Sequence, residues 1–421
     1  MTKIQTHVSS SRAIAAFALG TLFFSYAFMQ RVAPSVMTGE LMKDFAVGGA
    51  ALGSLSAWYF YTYAAIQLPV GMLTDRFGPR KLMSVAMALC AVASFAFAVS
   101  HSLLTASISR ALVGATVGFG FVGTLAIAAY WFKASRFAML AGVIQTAGMI
   151  GGMMGQAPLG VAVDYAGWRN TMIGLGGLAV VLSILLFLVI PKRPEERISG
   201  TPSVSRRPSK GIGEVIRNPQ SWYCAAIGFG LSSVMLGFVG LWAVPWLTTV
   251  QGFARSEAAA IASMLFLGWA LGAPTWGWLS DHLGRRKPMV FAGVVFNIAV
   301  YTVILFAGIS NNALLSVLFF VAGIFGASMT VTFSCMRELN ATANSGTALG
   351  LMNMCVVGSG AVTQPLVGWL LDRNWEGLIV EGERIYSGIN YDSALLVFYA
   401  TNLLALVGVV FMKETHCRQT V

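Results

Sequence analysis

"GMLTDRFGPRK" at 71–81 and "GWLSDHLGRRK" at 277–287 are two copies of one design, 206 positions apart. Each runs Gly, Asp four residues on, Gly three further, then a basic pair, and each closes a long apolar run. A chain that writes one charged loop twice is expected to repeat the architecture around it.

The apolar runs extend in both directions. They fall at 13–36, 51–73, 82–100, 103–131, 137–161 and 171–190, then at 223–249, 258–279, 288–309, 313–335, 347–370 and 392–412. A membrane-spanning helix needs about 20 mostly apolar residues, which each run supplies or nearly supplies. Between the two sets lies "PKRPEERISGTPSVSRRPSKG" (191–211), rich in Pro, Ser, Gly and charge. The expected fold is therefore all-α and integral to a membrane, with twelve transmembrane helices in two six-helix pseudo-symmetric bundles. The bundles are expected at 1–190 and 218–421, joined by a cytoplasmic linker at 191–217.

Composition agrees. Of 421 residues, 57% are hydrophobic and 10% charged, against about 25% charged in a soluble domain. The net charge of +11 is not read as nucleic-acid binding, because membrane proteins collect Lys and Arg in cytoplasmic loops. With both termini and the linker placed inside, twenty of the 27 Lys and Arg fall inside and five outside. That bias sets the expected topology in a cell inner (plasma) membrane. The five cysteines show no metal or disulfide spacing. The first apolar run is long enough to span, with no clear cleavage site after it. Two further pairs repeat across the halves: "GVIQTAGMIGG" (142–152) with "GLMNMCVVGSG" (350–360), and "QAPLG" (156–160) with "QPLVG" (364–368).

The doubled loop, between the second and third helices of each half, resembles the signature of the major facilitator superfamily. "SRALVGATVG" (109–118) resembles that superfamily's fourth-helix motif and "GWR" (167–169) the end of its fifth helix. The resemblance covers nearly the whole chain. It implies alternating access by rocking of two bundles. Gly71, Asp75, Arg76, Gly78 and Arg80, with Gly277, Asp281, Gly284 and Arg286, are then expected to serve gating. The glycines 71 and 277 would let helices approach closely, and Asp75 and Asp281 would cap a neighbouring helix N-terminus. Arg110 has, by the same resemblance, a structural or coupling role, against a plain reading as a residue snorkelling at the outer end.

Arg31 is about 18 residues, or roughly 27 Å, past the start of the first run. A charge inside a span is expensive and usually functional. Tyr59, Tyr63 and Gln67, at i, i+4 and i+8, share one face of the second helix. In the second half Trp242 and Trp246 repeat that spacing, and Gln145, Gln156, Asn353 and Gln364 place amides in the fifth and eleventh helices. Buried amides need partners, which are other helices or substrate. The first two helices resemble the organic-anion branch, the anion–cation symporters, whose first-helix arginine meets a substrate carboxylate; Arg31 occupies that place. A guanidinium fork fits a carboxylate in two hydrogen bonds. Arg31, Gln30, Tyr59, Tyr63, Gln67, Gln145, Trp242, Trp246, Asn353 and Gln364 are the expected substrate-binding residues.

Proton-coupled members of that branch carry an acid just before the arginine and another in the fourth helix. Here the first position is Gln30 and the second is lacking. The sixteen acids lie in loops or near span ends. Three alternatives stay open: facilitated transport, a proton carried on the substrate, or a boundary acid such as Glu338. Sodium coupling has no support in the sequence.

The expected function is a transporter, acting as a monomer, that imports a small carboxylate-bearing solute such as an amino acid, short peptide, dicarboxylate or carboxylate siderophore. Drug efflux is a rival, disfavoured because Pro158 follows Ala157 where efflux antiporters carry Gly-Pro. A transport-inactive sensor would tend to carry extra domains or long tails. No nucleophile–base, cofactor or metal constellation points to an enzyme.

Overall fold

The computed structural model describes residues 10–133, 136–191, 210–380 and 382–419. The chain is almost entirely helical. In order come α1 (Ser10–Val32), a 3₁₀ turn (Ala33–Val36), α2 (Thr38–Phe45), α3 (Gly49–Phe77), α4 (Pro79–Ala98), α5 (Leu103–Val117), α6 (Phe119–Trp131), α7 (Phe137–Met154) and α8 (Ala157–Val189). The second half holds α9 (Lys210–Arg217), α10 (Pro219–Ser233), a π segment (Val234–Trp242), α11 (Ala243–Thr249), α12 (Arg255–Leu283), α13 (Lys287–Phe306), α14 (Asn312–Gly326), α15 (Met329–Glu338), α16 (Ser345–Arg373) and α17 (Gly388–Phe411). A two-stranded hairpin, β1 (Ile379–Val380) and β2 (Glu383–Arg384), precedes α17. Of the expected linker, 192–209 lies outside the described residues, and its end forms α9.

Among the described residues, ten stretches are long and apolar enough to cross a membrane. One of them, Met139–Val189, runs 51 residues and turns at Gly167, whose φ of 78° only glycine adopts easily. Counted as two passes, and with the 29-residue α3 added, these stretches match the expected twelve. The "GWR" turn is gripped from outside it. Trp168 Nε1 and Arg169 Nη2 both donate to Asp44, and Arg169 Nη1 to the carbonyls of Ala98 and Ser100.

The two bundles meet along two helix pairs, α3 with α16 and α7 with α12. We call the helix ends bearing the two basic loops the basic face, and the opposite ends the far face. At the far face α3 and α16 are in backbone contact: a Cβ on Gly368 would strike the Gly49 carbonyl, and one on Gly53 the backbone of Gln364 and Pro365. Small residues at such contacts let helices approach to their backbones. Toward the basic face, glycines of the same four helices face open space. A Cβ on Gly71, Gly142, Gly277, Gly346 or Gly350 would meet nothing within 4 Å. The expectation that Gly71 and Gly277 mediate close approach is therefore corrected for this conformation, in which the bundles touch backbone to backbone at the far face.

Candidate functional site

The expected site starts at the last turn of α1. Arg31 is 4% exposed and forms no ion pair among the described residues. Its guanidinium carbon lies 4.1 Å from the ring centre of Phe28 and 5.0, 5.6 and 6.0 Å from those of Tyr63, Tyr59 and Phe60. Aromatic faces partly compensate a buried cation, but they do not neutralise it. Arg31 Nε has no hydrogen-bond partner.

A second guanidinium stands beside it. Arg110, on α5, is 1% exposed, so it is not a snorkelling residue. Nη1 donates to the Gln30 carbonyl at 3.0 Å, while Nε and Nη2 have no partner. The Tyr59 ring centre is 5.2 Å from Arg110, so one ring serves both cations. The carbonyl that holds Arg110 is free for a local reason. In a continuing helix the N–H of residue 34 would bond to it, but residue 34 is proline and has no N–H.

The predicted stripe on α3 is one face. Tyr59 and Tyr63 stack at 6.1 Å, 10° from parallel, and Tyr59 Oη donates to the Ala27 carbonyl at 2.9 Å. Gln67 follows one turn on, half-buried, its Nε2 enclosed without a partner. Tyr59 and Tyr63 join Arg31 in one cluster, and Tyr59 also faces Arg110.

Other expected ligands lie elsewhere or are already engaged. Gln30 turns its side chain toward α4, donating to Tyr26 Oη at 2.6 Å and Ser94 Oγ at 3.0 Å. Gln364 Nε2 donates to the Leu236 carbonyl at 2.7 Å, and Trp242 Nε1 to the Gln364 carbonyl at 3.0 Å. Trp246 packs against Phe238, its Nε1 buried and unpartnered. Gln145 is exposed on α7 and Asn353 half-buried on α16.

The two loop copies differ. Gly78 and Gly284 both have positive φ, 77° and 62°, which accounts for the second glycine of each copy. Arg76 lies over Phe77, and Arg80 donates to the Phe187 carbonyl at the end of α8. The side chain of Asp75 lies outside the described residues. In the second copy Arg286 is buried between Asp281 (2.6 Å) and Glu338 (2.9 Å). Asp281 was expected to cap a neighbouring helix. Instead it pairs with Arg286 in its own loop, and the cap on α13 comes from Glu414. That carboxylate accepts the N–H groups of Arg286 and Lys287 at 2.9 and 3.0 Å. Glu414 lies just beyond α17.

With this geometry in place, the comparisons with known proteins are informative. The Major Facilitator Superfamily family model matches residues 18–356 and 226–418. The chain belongs to that superfamily. It is 22% identical over 398 residues to a probable hexose phosphate transport protein of Chlamydia muridarum, covering 86% of each chain. It is 23% identical to the probable sulfoacetate transporter SauU of Cupriavidus necator, covering 84% of this chain and 86% of that one. Its fold matches a bacterial homolog of the human lysosomal transporter Spinster, solved inward-facing and unoccupied, with TM-score 0.78, 17% identity and 96% and 97% of the two chains covered.

Proposed function

We propose that this protein imports a small organic anion by alternating access, with the anionic group held at Arg31 and Arg110. One observation carries the reading: Arg31 is nine-tenths buried and has no acidic partner among the described residues. An uncompensated guanidinium in a cavity attracts anions and repels cations. This speaks against efflux of lipophilic cations. The relatives' substrates, a hexose phosphate and sulfoacetate, support an organic anion and favour phosphate, sulfonate or carboxylate groups over amino acids and peptides. The basic face is taken as cytoplasmic, from the Lys and Arg bias. Glu338 is held by Arg286, which favours a proton travelling with the substrate, or no coupling, over a proton carried there.

The test is binding and proteoliposome flux for a panel of small carboxylates, sulfonates and phosphate monoesters. Arg31→Ala should lose about 2–5 kcal/mol of binding, roughly thirty- to several-thousandfold, and all saturable flux. Arg31→Lys should rescue poorly, because a point charge does not reproduce the planar fork. Wild-type behaviour of Arg31→Ala at normal membrane abundance would remove the anion site. Binding without flux in the wild-type protein would point to a sensor.

A further inference from the structure

Two glutamines at matching places in the repeats, Gln156 and Gln364, converge on one helix. Both are fully buried. Gln156 Nε2 donates to the carbonyl of Val239 at 2.9 Å and Gln364 Nε2 to that of Leu236 at 2.7 Å. Both carbonyls belong to the π segment Val234–Trp242. The sequence explains the segment. Pro245 has no N–H, and its ring crowds the carbonyl four residues back, at Leu241. Widening the helix just before the proline relieves that crowding, and it turns carbonyls outward where side chains can reach them.

The two bonds differ in what they join. Leu236 and Gln364 are both in the C-terminal bundle. Gln156 is in the N-terminal bundle, so its bond to Val239 crosses between the bundles on the closed side of the molecule. Gln156 also sits at an irregularity of its own, the break between α7 and α8, with φ −102° and ψ −97°. Its Oε1 lies 3.2 Å from Ser35 Oγ, in the 3₁₀ turn that follows Arg31's helix. A single side chain thus connects the turn after the anion-binding helix to the irregular helix of the other bundle.

We propose that Gln156 is a positioning residue for transport: a clasp that holds the π segment against the N-terminal bundle while the far face is closed, and that releases when the far face opens. Gln364, which bonds within its own bundle, keeps its partner throughout the cycle. The assignment does not depend on which anion is carried.

The test measures conformation without ligand. Spin labels are placed at cysteines substituted for His101 and Asn312, both exposed far-face residues, one in each bundle. Cys355 and Cys417, the two native cysteines that are not buried, are replaced by serine. Gln156→Met keeps the side-chain volume and removes both hydrogen bonds. It should raise the population with long inter-label distances at least threefold, whereas Gln364→Met should leave that population at the parent's level. Gln156→Glu, which keeps an acceptor for Ser35 but loses the amide donor to Val239, should move the distribution the same way and guards against poor folding of the first variant. In flux assays Gln156→Met should lower the turnover number more than it raises KM. Unchanged distributions in both Gln156 variants would overturn the proposal. So would an equal shift in Gln364→Met, which would mean that any loosening of the π segment suffices.

Discussion

The carboxylate of Asp372, at the end of α16, accepts the backbone N–H of Gly49, at the start of α3. Oδ1 takes Gly49 at 3.0 Å and Oδ2 takes Ala50 at 2.9 Å. Tyr386 Oη donates to the same carboxylate at 2.6 Å and accepts from Gly49 N at 2.8 Å. One bundle thus caps a helix N-terminus of the other, where the helix dipole favours negative charge. A carboxylate cap of the kind expected at the basic loops is thus found between the bundles at the far face.

Asp372→Asn should keep the shape of that cap and lose its charge. The balance between closed and open far face should move by about 1–2 kcal/mol toward open. The check is the rate at which a membrane-impermeant thiol reagent labels a cysteine placed at Ala57, buried one turn on from Gly53 in α3. Equal rates in the variant and its parent would reduce Asp372 to a surface contact.

Gly368→Ala should act in the same direction for a steric reason. The added methyl would meet the Gly49 carbonyl in the closed state, and a contact that close forces the helices apart. Gly71→Ala should leave this conformation undisturbed, because the space there is open. The spin-label distances described above would separate the two substitutions.

Arg110 and Arg31 should fail differently. Arg110→Met leaves the Gln30 carbonyl buried without a donor, which costs about 1–3 kcal/mol of stability. Melting temperature and anion affinity should fall together. Arg31 holds no backbone group by a hydrogen bond, so Arg31→Ala should weaken affinity with little loss of melting temperature. Calorimetry and thermal unfolding on both variants give the comparison.

Glu414 makes stability depend on pH at the acidic end. Partial burial pushes its pKa up, but the N–H groups of Arg286, His416, Lys287 and Thr415 outweigh this and hold it below the usual value. A depressed folded-state pKa means the contribution is fully present above the unfolded value, about 4.3, and is lost as pH falls through the lower folded value. Glu414→Gln should cost about 1 kcal/mol near neutral pH, the worth of a helix cap. The gap to wild type should close on acidification below pH 4; a constant gap would mean that charge is not the source.

The repeat, the passes and the shared face of Tyr59, Tyr63 and Gln67 on α3 were legible because each rests on spacing along the chain. What spacing does not carry is which helices are neighbours. Arg110 reads as an outer-end residue until α5 is laid against the proline-freed carbonyl of α1. Gln364 reads as a free amide until the π segment is known to offer it a carbonyl. The Glu414 cap was hidden for a further reason: 128 residues separate it from Arg286, and nothing in the tail marks it as more than a solvated acid.

The shared tyrosine between two unneutralised arginines has a consequence for energetics across the bilayer. On the proposed function, the empty site carries uncompensated positive charge through whatever part of the electric field falls across it. With an anion bound, much of that charge is cancelled. A membrane potential exerts about 2.3 kcal/mol per elementary charge per 100 mV. For an anion carried without a proton, it therefore acts chiefly on the unloaded carrier and the empty return is the voltage-sensitive step; a proton riding on the substrate would leave the loaded step sensitive as well.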